Sequence, residues 1–445
     1  MTTSVQYDRT LVVGLGATGL ATARYLATLG ADVTVIDSRA APPGLAELRE
    51  THPDIPVILE SQDPRWLEGI DQVALSPGLR IDTPLAAHAR QQGIPLVGDI
   101  ELFARAVQAP VVAVTGSNGK STVVTLLERM LSATGLDVAA GGNLGPPALE
   151  LLAEPADIYV LEISSFQLET TESLRPDVAA VLNVSPDHLD RHGSLADYAA
   201  LKSKLLRGAN RAVFNLDDPL VREMGREHPH GIPFSLRENP SDGFGVMEHQ
   251  GERWFAGAGE PLLPVAAMRL PGGHNEANAL AALALSSSLG RDLPKQLEAL
   301  QEFAGLPHRC QWVAEKNGVT FINDSKGTNV AASVAAVEGL NGPFVLIAGG
   351  QSKGADFRPL AASARGKLAA AVLIGEAAEK LEATLSGICP IRVADDLPAA
   401  VGLAWEFASA GTTILLSPAC ASLDMFADYS ARGEAYIAAV QDLLQ

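Results

Sequence analysis

The stretch Val111–Thr125, VVAVTGSNGKSTVVT, joins an apolar, β-branched run to an amphipathic helical pattern through Gly116 and Gly119. Lys120 and Ser121 follow the second glycine directly, and the order makes a phosphate cradle. Glycines let the backbone approach phosphate oxygens, free N–H groups at the helix start face the anion, Lys120 supplies a point charge, and Ser121 offers its hydroxyl to magnesium. Asn118 and Thr122 lie within the same turn. Val114 stands where the general phosphate-loop pattern has its first glycine, so this loop belongs to a narrower group.

A strand entering such a turn and a helix leaving it are the repeating unit of a mainly parallel α/β sheet. The same pattern recurs at Leu11–Gly16 and Phe344–Gly350, and each run is expected to open the sheet of its own domain. Strand-like runs at Val73–Leu75, Ile158–Leu161, Val178–Val184 and Arg211–Asn215 alternate with helical patterns at Ser117–Leu131 and Asn275–Leu289. Breaks at Pro95–Asp99 and Gly305–His308 divide the 445 residues into three expected α/β domains, 1–98, 99–306 and 307–445. The outer two read as Rossmann-like and the central one as P-loop ATPase-like. Residues Arg222–Pro264, rich in glycine, proline and charge, are expected to form irregular strands and loops without chemistry.

In the first domain, LVVGLGATG (Leu11–Gly19) places Gly14, Gly16 and Gly19 as in a dinucleotide fingerprint, with Asp37 closing the next apolar strand. Two phosphate sites in one chain imply either two nucleotides or one nucleotide and a nucleotide-linked substrate. An NAD-dependent oxidoreductase would explain Asp37 but leave the second loop without a purpose.

Lys and Arg number 33 against 52 Asp and Glu, a net charge of −19 that opposes nonspecific attraction to nucleic acid or anionic membranes. Anionic ligands must therefore meet local cations. Cys310, Cys389 and Cys420 are far apart and lack metal-ligand spacing, which fits a reducing cytoplasm. The first residues carry no signal-peptide pattern and no apolar run approaches membrane-spanning length, so a cytoplasmic protein is expected.

Two acidic segments follow apolar strands. In LEISSFQLE (Leu161–Glu169), Glu162 has the position and charge to bind a nucleotide-associated magnesium, or it is an ordinary carboxylate at a strand end. In NVSPDHLDR (Asn183–Arg191), His188 lies between Asp187 and Asp190 at a strand's carboxyl end, where open α/β sheets bind ligands, and contact with metal or phosphate is expected. Lys202 reads as a solvated helix lysine from its surroundings in sequence.

TGSNGKST, LEISSFQLE, NVSPDHLDRH, PGGHNEANAL, GLPHR and INDSKGTN occur in the order seen in the Mur ligases, and the chain resembles that family of peptidoglycan-building amide ligases throughout. Asp324–Asn329 (DSKGTN) and Leu416–Phe426 (LSPACASLDMF) resemble motifs of the member that adds D-glutamate. The resemblance implies ATP-driven amide formation between UDP-N-acetylmuramoyl-L-alanine and D-glutamate through an acyl phosphate, two magnesium sites and a monomer. Folylpolyglutamate synthase shares the ATP core but lacks a domain like Leu11–Gly98.

What the family implies for individual residues is specific. Lys120, His188, Lys202 and Arg309 would be catalytic, and Ser121, Glu162, His188 and a carbamylated Lys202 would serve magnesium. A carbamate is anionic and offers oxygen ligands where an ammonium would repel the metal. Besides Gly116, Asn118, Gly119, Lys120, Ser121 and Thr122, ATP would meet Asn275, Asn278, Arg309, Asp324 and Lys326, although Asn275 and Asn278 also read as helix caps. The UDP-substrate would meet Gly16, Thr18, Ser38, Arg39, Ser76, Pro77, Gly78, Asn143 and His188, which turns the N-terminal fingerprint from a nicotinamide site into a uridine diphosphate site. D-Glutamate would meet Thr328, Lys353, Ser422, Leu423 and Tyr429. Lys353 also reads as an exposed loop lysine, and Tyr429 stands where Phe is the more usual residue. Arg309 and Lys353 would reach a nucleotide held in the central domain, which implies closure of the C-terminal domain.

Overall fold

A computed structural model of the chain describes residues 9–444 apart from 271, 291, 341 and 353, and apart from the side chains of 189 and 190. The chain divides into two compact units, Met1–Leu263 with Asn278–Ala299, and Pro264–Ala277 with Leu300–Gln445.

The first unit holds two sheets. The smaller has the parallel order Val57–Ile58, Asp32–Ile36, Arg9–Val13, Gln72–Leu75, Leu96–Val97. Arg9–Val13 lies between Asp32–Ile36 and Gln72–Leu75, so the order reverses there, and this switch point is where open α/β sheets leave a crevice. Val13 is level with both Ile36 and Leu75, which brings three carboxyl ends to one edge.

The larger sheet runs Glu260–Pro264, Glu252–Gly257, Phe244–His249, Gly231–Phe234, Arg211–Asn215, Val178–Val181, Val111–Thr115, Ile158–Glu162, Val138–Gly142. Val111–Thr115 is buried on both faces, as a continuous apolar run requires in a parallel sheet. Its neighbours are parallel, with Val114 opposite Glu162 and Thr115 opposite Val181. The next helix begins at Lys120 rather than Ser117, because the preceding residues belong to the loop and Gly119 is left-handed at φ 84°.

Residues 222–264 are more regular than their composition suggests. A helix at Pro219–Arg226 is followed by four strands that extend the sheet. Gln250-Gly251 and Ala258-Gly259 each place two consecutive residues at positive φ, as a tight hairpin turn demands. These turns lack the Asn-Gly or Asp-Gly signature that makes a hairpin legible.

The second unit has the order Gln311–Lys316, Val319–Asn323, Thr413–Leu416, Phe344–Gly349, Leu368–Ile374, Ile391–Val393, parallel apart from the first pair. Asn323 is level with Leu416, so Asp324 and Ser417 emerge side by side. Among the described residues no helix is long and apolar enough to cross a membrane.

Candidate active site

At the switch point of the smaller sheet a crevice of about 410 Å³ is lined by the glycine turn, by Thr18, by Ser38 and Arg39, and by Ser76, Pro77, Gly78 and Leu79. Gly16, Thr18, Ser38, Arg39, Ser76, Pro77 and Gly78 therefore share one wall-to-wall site. Gly14 sits at φ 93°, and a Cβ on Gly19 would collide with the Gly14 carbonyl oxygen, so both glycines are required by the backbone's own path. Asp37 faces this crevice but is already occupied. Its Oδ1 accepts from the Arg39 N–H and Nε, and its Oδ2 from Arg39 Nη2 at 2.7 Å and the Leu15 N–H at 2.7 Å. The Arg39 hydrogen bonds hold the carboxyl down at about 2. Four donors exhaust a carboxylate's acceptor sites, and a nicotinamide-type ribose contact is left without one.

The second cradle lies at the end of Val111–Thr115. Lys120 Nζ donates to the carbonyls of Gly116 and Ser117 at 3.0 and 3.2 Å, bending over the loop where phosphates would lie. Ser121 Oγ donates to Glu162 Oε2 at 2.8 Å, and Asn143 Nδ2 to Glu162 Oε1 at 2.6 Å. Thr122 follows in the first turn of the helix, half-buried. Asn183 grips the loop from the neighbouring strand's end, accepting from the Asn118 N–H and donating to the Asn118 carbonyl. Gly119 packs so closely on the Asn278 side chain that a Cβ would collide with it.

Lys202 is fully buried rather than solvated. It comes from the helix Leu195–Gly208, and its Nζ donates to the Gly116 carbonyl at 3.0 Å, 4.4 Å from the Tyr198 ring centroid. Burial, with the Lys120 charge near by, pulls its ammonium down to about 7. His188 is exposed, at φ 51°, with Nε2 3.5 Å from Asp187 and its ring against Phe166 at 4.8 Å.

In the second unit Asp324 is buried, accepts from Ser417 Oγ at 2.7 Å and the Cys310 N–H at 3.2 Å, and is raised to about 6 by burial. Lys326 Nζ lies 5.1 Å from the Tyr429 ring centroid, and Ser325 Oγ donates to the Tyr429 carbonyl. Ser422 is buried, Leu423 is exposed, and Thr328 is half-buried. Asn275 is buried and Arg309 exposed. Lys353 lies outside the described residues.

Sequence comparison supplies the deciding observation. The Mur ligase MurD-like N-terminal domain matches residues 8–98, the Mur ligase middle domain 114–286, and the Mur ligase glutamate ligase domain 308–420. The chain belongs to the Mur ligase family. Relatives include a UDP-N-acetylmuramoylalanine-D-glutamate ligase of Nitrosococcus oceani, 49% identical over 98% of this chain and 96% of that protein. One from Methylococcus capsulatus with the same name is 46% identical over 98% and 95%. Among solved structures, the UDP-N-acetylmuramate-alanine ligase MurC of Thermotoga maritima shares the fold with a TM-score of 0.57 at 20% identity, over 98% of this chain and 99% of that one.

This Mur ligase is thus an ATP-dependent, amide-forming enzyme of three α/β domains. Its loop fits a magnesium nucleotide, because Ser121 and Glu162 place a hydroxyl and a buried carboxylate together beside the helix start, oxygen donors suited to a hard cation. Among the described residues no group of three or more His, Cys, Asp or Glu side chains is placed to hold a metal ion. Sequence reasoning missed Asn183 and Tyr198. Each looks generic along the chain and becomes specific only through contacts far apart in sequence.

Proposed function

We propose that this Mur ligase joins D-glutamate to UDP-N-acetylmuramoyl-L-alanine at the expense of ATP. The carrying observation is the pair of phosphate cradles within one compact unit, one at a crevice suited to a diphosphate and the other at a Ser121–Glu162 loop. Its full-length relatives, named for D-glutamate addition, support the choice of amino acid.

A carboxylate approaching the γ-phosphate brings like charges together, so cations must offset both. Lys120 stands over the loop and supplies one. Magnesium, held by Ser121 and Glu162, would supply the rest by neutralising phosphate charge. Asn143 fixes Glu162, while His188 would contact the acyl group on the family resemblance. The alanyl carboxylate oxygen attacks the γ-phosphorus and ADP leaves. The amine of D-glutamate then attacks the acyl carbon, giving up a proton as phosphate departs. Ser422, Thr328, Lys353, Tyr429 and the Leu423 backbone are assigned to D-glutamate, and Arg309, Asp324, Lys326, Asn275 and Asn278 to ATP, on the family resemblance.

Lys202 is proposed to carry a carbamate that serves a second magnesium together with His188. Its burial against Gly116, with Thr115 Oγ1 at 3.4 Å, places it beside the loop. Labelled bicarbonate should give a carbamate 13C resonance in the wild type that Lys202→Ala abolishes, and identical spectra would remove the assignment. The overall reading is tested by phosphate release that requires both UDP-N-acetylmuramoyl-L-alanine and D-glutamate and falls at least ~100-fold in Lys120→Ala. Release that ignores the UDP-sugar, or that accepts L-glutamate alone, would refute it.

A further inference from the structure

The guanidinium of Arg191 is nearly buried, its side chain and that of Glu169 each 9% exposed. Its Nε and Nη2 donate to the two oxygens of Glu169 at 3.0 and 2.6 Å, a bidentate pair. The remaining edge points elsewhere. Nη1 donates to the Pro77 carbonyl at 2.9 Å and Nη2 to the Leu79 carbonyl at 2.7 Å, across more than 110 residues of sequence. Pro77 and Leu79 belong to the wall of the first crevice, and Ser76 beside them is tied to the glycine turn by a hydrogen bond to the Gly14 carbonyl at 3.0 Å.

At its other end Arg191 packs on the turn that follows Glu162 and on the segment that carries His188. Its own N–H donates to the His188 carbonyl at 3.0 Å, and its Cζ lies 4.0 Å from the centroid of Phe166, the ring that also touches His188. Phe166 and Glu169 sit just beyond Glu162 in the chain, and the Ser164–Gln167 capping box fixes that turn. One planar side chain thus joins the wall of the first crevice to the turn after Glu162, whose Phe166 ring packs on His188.

We propose that Arg191 is a positioning residue that sets the span between the two cradles, and so holds a sugar nucleotide with its reactive carboxylate at His188. This rests on the proposed function, because only a substrate that occupies both sites needs a fixed span between them. A point charge can satisfy Glu169 or one carbonyl but lacks the fork that serves all of them.

The test is Arg191→Lys, which keeps the charge that Glu169 requires and therefore the fold. KM for the UDP-sugar is expected to rise about tenfold (~1.4 kcal/mol) and kcat to fall severalfold, with KM for ATP and for D-glutamate within twofold and the unfolding midpoint unchanged. Hydrogen exchange at residues 76–79 is expected to quicken in the variant, and this readout does not depend on turnover. Unchanged exchange with all three KM values unmoved would overturn the inference, as would a parallel rise in all three. A wild-type protein without D-glutamate-dependent turnover would instead strike the proposed function, and the exchange measurement would still decide whether Arg191 holds the wall.

Discussion

Asp99 shows how a single buried group contributes to the pH response of the fold. Gln167 Nε2 donates to its Oδ2 at 2.8 Å, whereas its Oδ1 is buried without a hydrogen-bond partner, and burial lifts the carboxyl from 3.8 to about 6. A carboxyl with a raised folded value binds its proton more readily in the folded state. Its contribution to stability is fully present below the ordinary value of 3.8 and is lost as pH rises through about 6. Asp99→Asn should therefore gain about 1–3 kcal/mol relative to wild type at pH 8 over its difference at pH 4. Urea unfolding at the two pH values measures this, and equal differences at both would contradict it. Lys202 acts with the opposite charge: the cost of its buried ammonium is full below about 7 and fades as pH rises from there to the ordinary value of 10.5.

At the scale of elements, the helix Pro219–Arg226 matters to the site because its cap reaches back to it. Asp218 accepts from the Leu220 and Val221 N–H groups and, through its other oxygen, from the Val184 N–H at 2.8 Å, at the start of the segment that carries His188. Asp218→Ala should cost about 1–2 kcal/mol of stability, read by denaturant titration, and a loss under a few tenths would show that the cap is idle. The strands and turns that hold the two cradles were legible from sequence because their purpose is local: glycines where the backbone crowds itself, and apolar runs where a strand is buried on both faces. The hairpins after Phe244 were not, since Gln250-Gly251 and Ala258-Gly259 reach positive φ without the Asn-Gly or Asp-Gly pair that marks such a turn. Nor was the burial of Lys202, whose neighbours Thr115 and Gly116 lie more than 80 residues away. Arg191 escaped for the same reason, because its role is a set of contacts rather than a pattern.

Across the whole molecule, an acidic chain with a net charge of −19 places a cationic side chain at each of the two proposed phosphate sites, Arg39 at one and Lys120 at the other. The surface charge opposes anions in general, while the proposed cradles would admit them where backbone N–H groups and fixed cations replace water. The central claim is that these two sites serve one reaction in which a carboxylate is activated by phosphate. Isotope transfer from the UDP-sugar tests this most directly, with 18O placed in its alanyl carboxylate and the released inorganic phosphate analysed by mass. The account predicts that phosphate formed in the presence of D-glutamate carries one of those labelled oxygens, whereas phosphate free of label alongside full amide formation would contradict it.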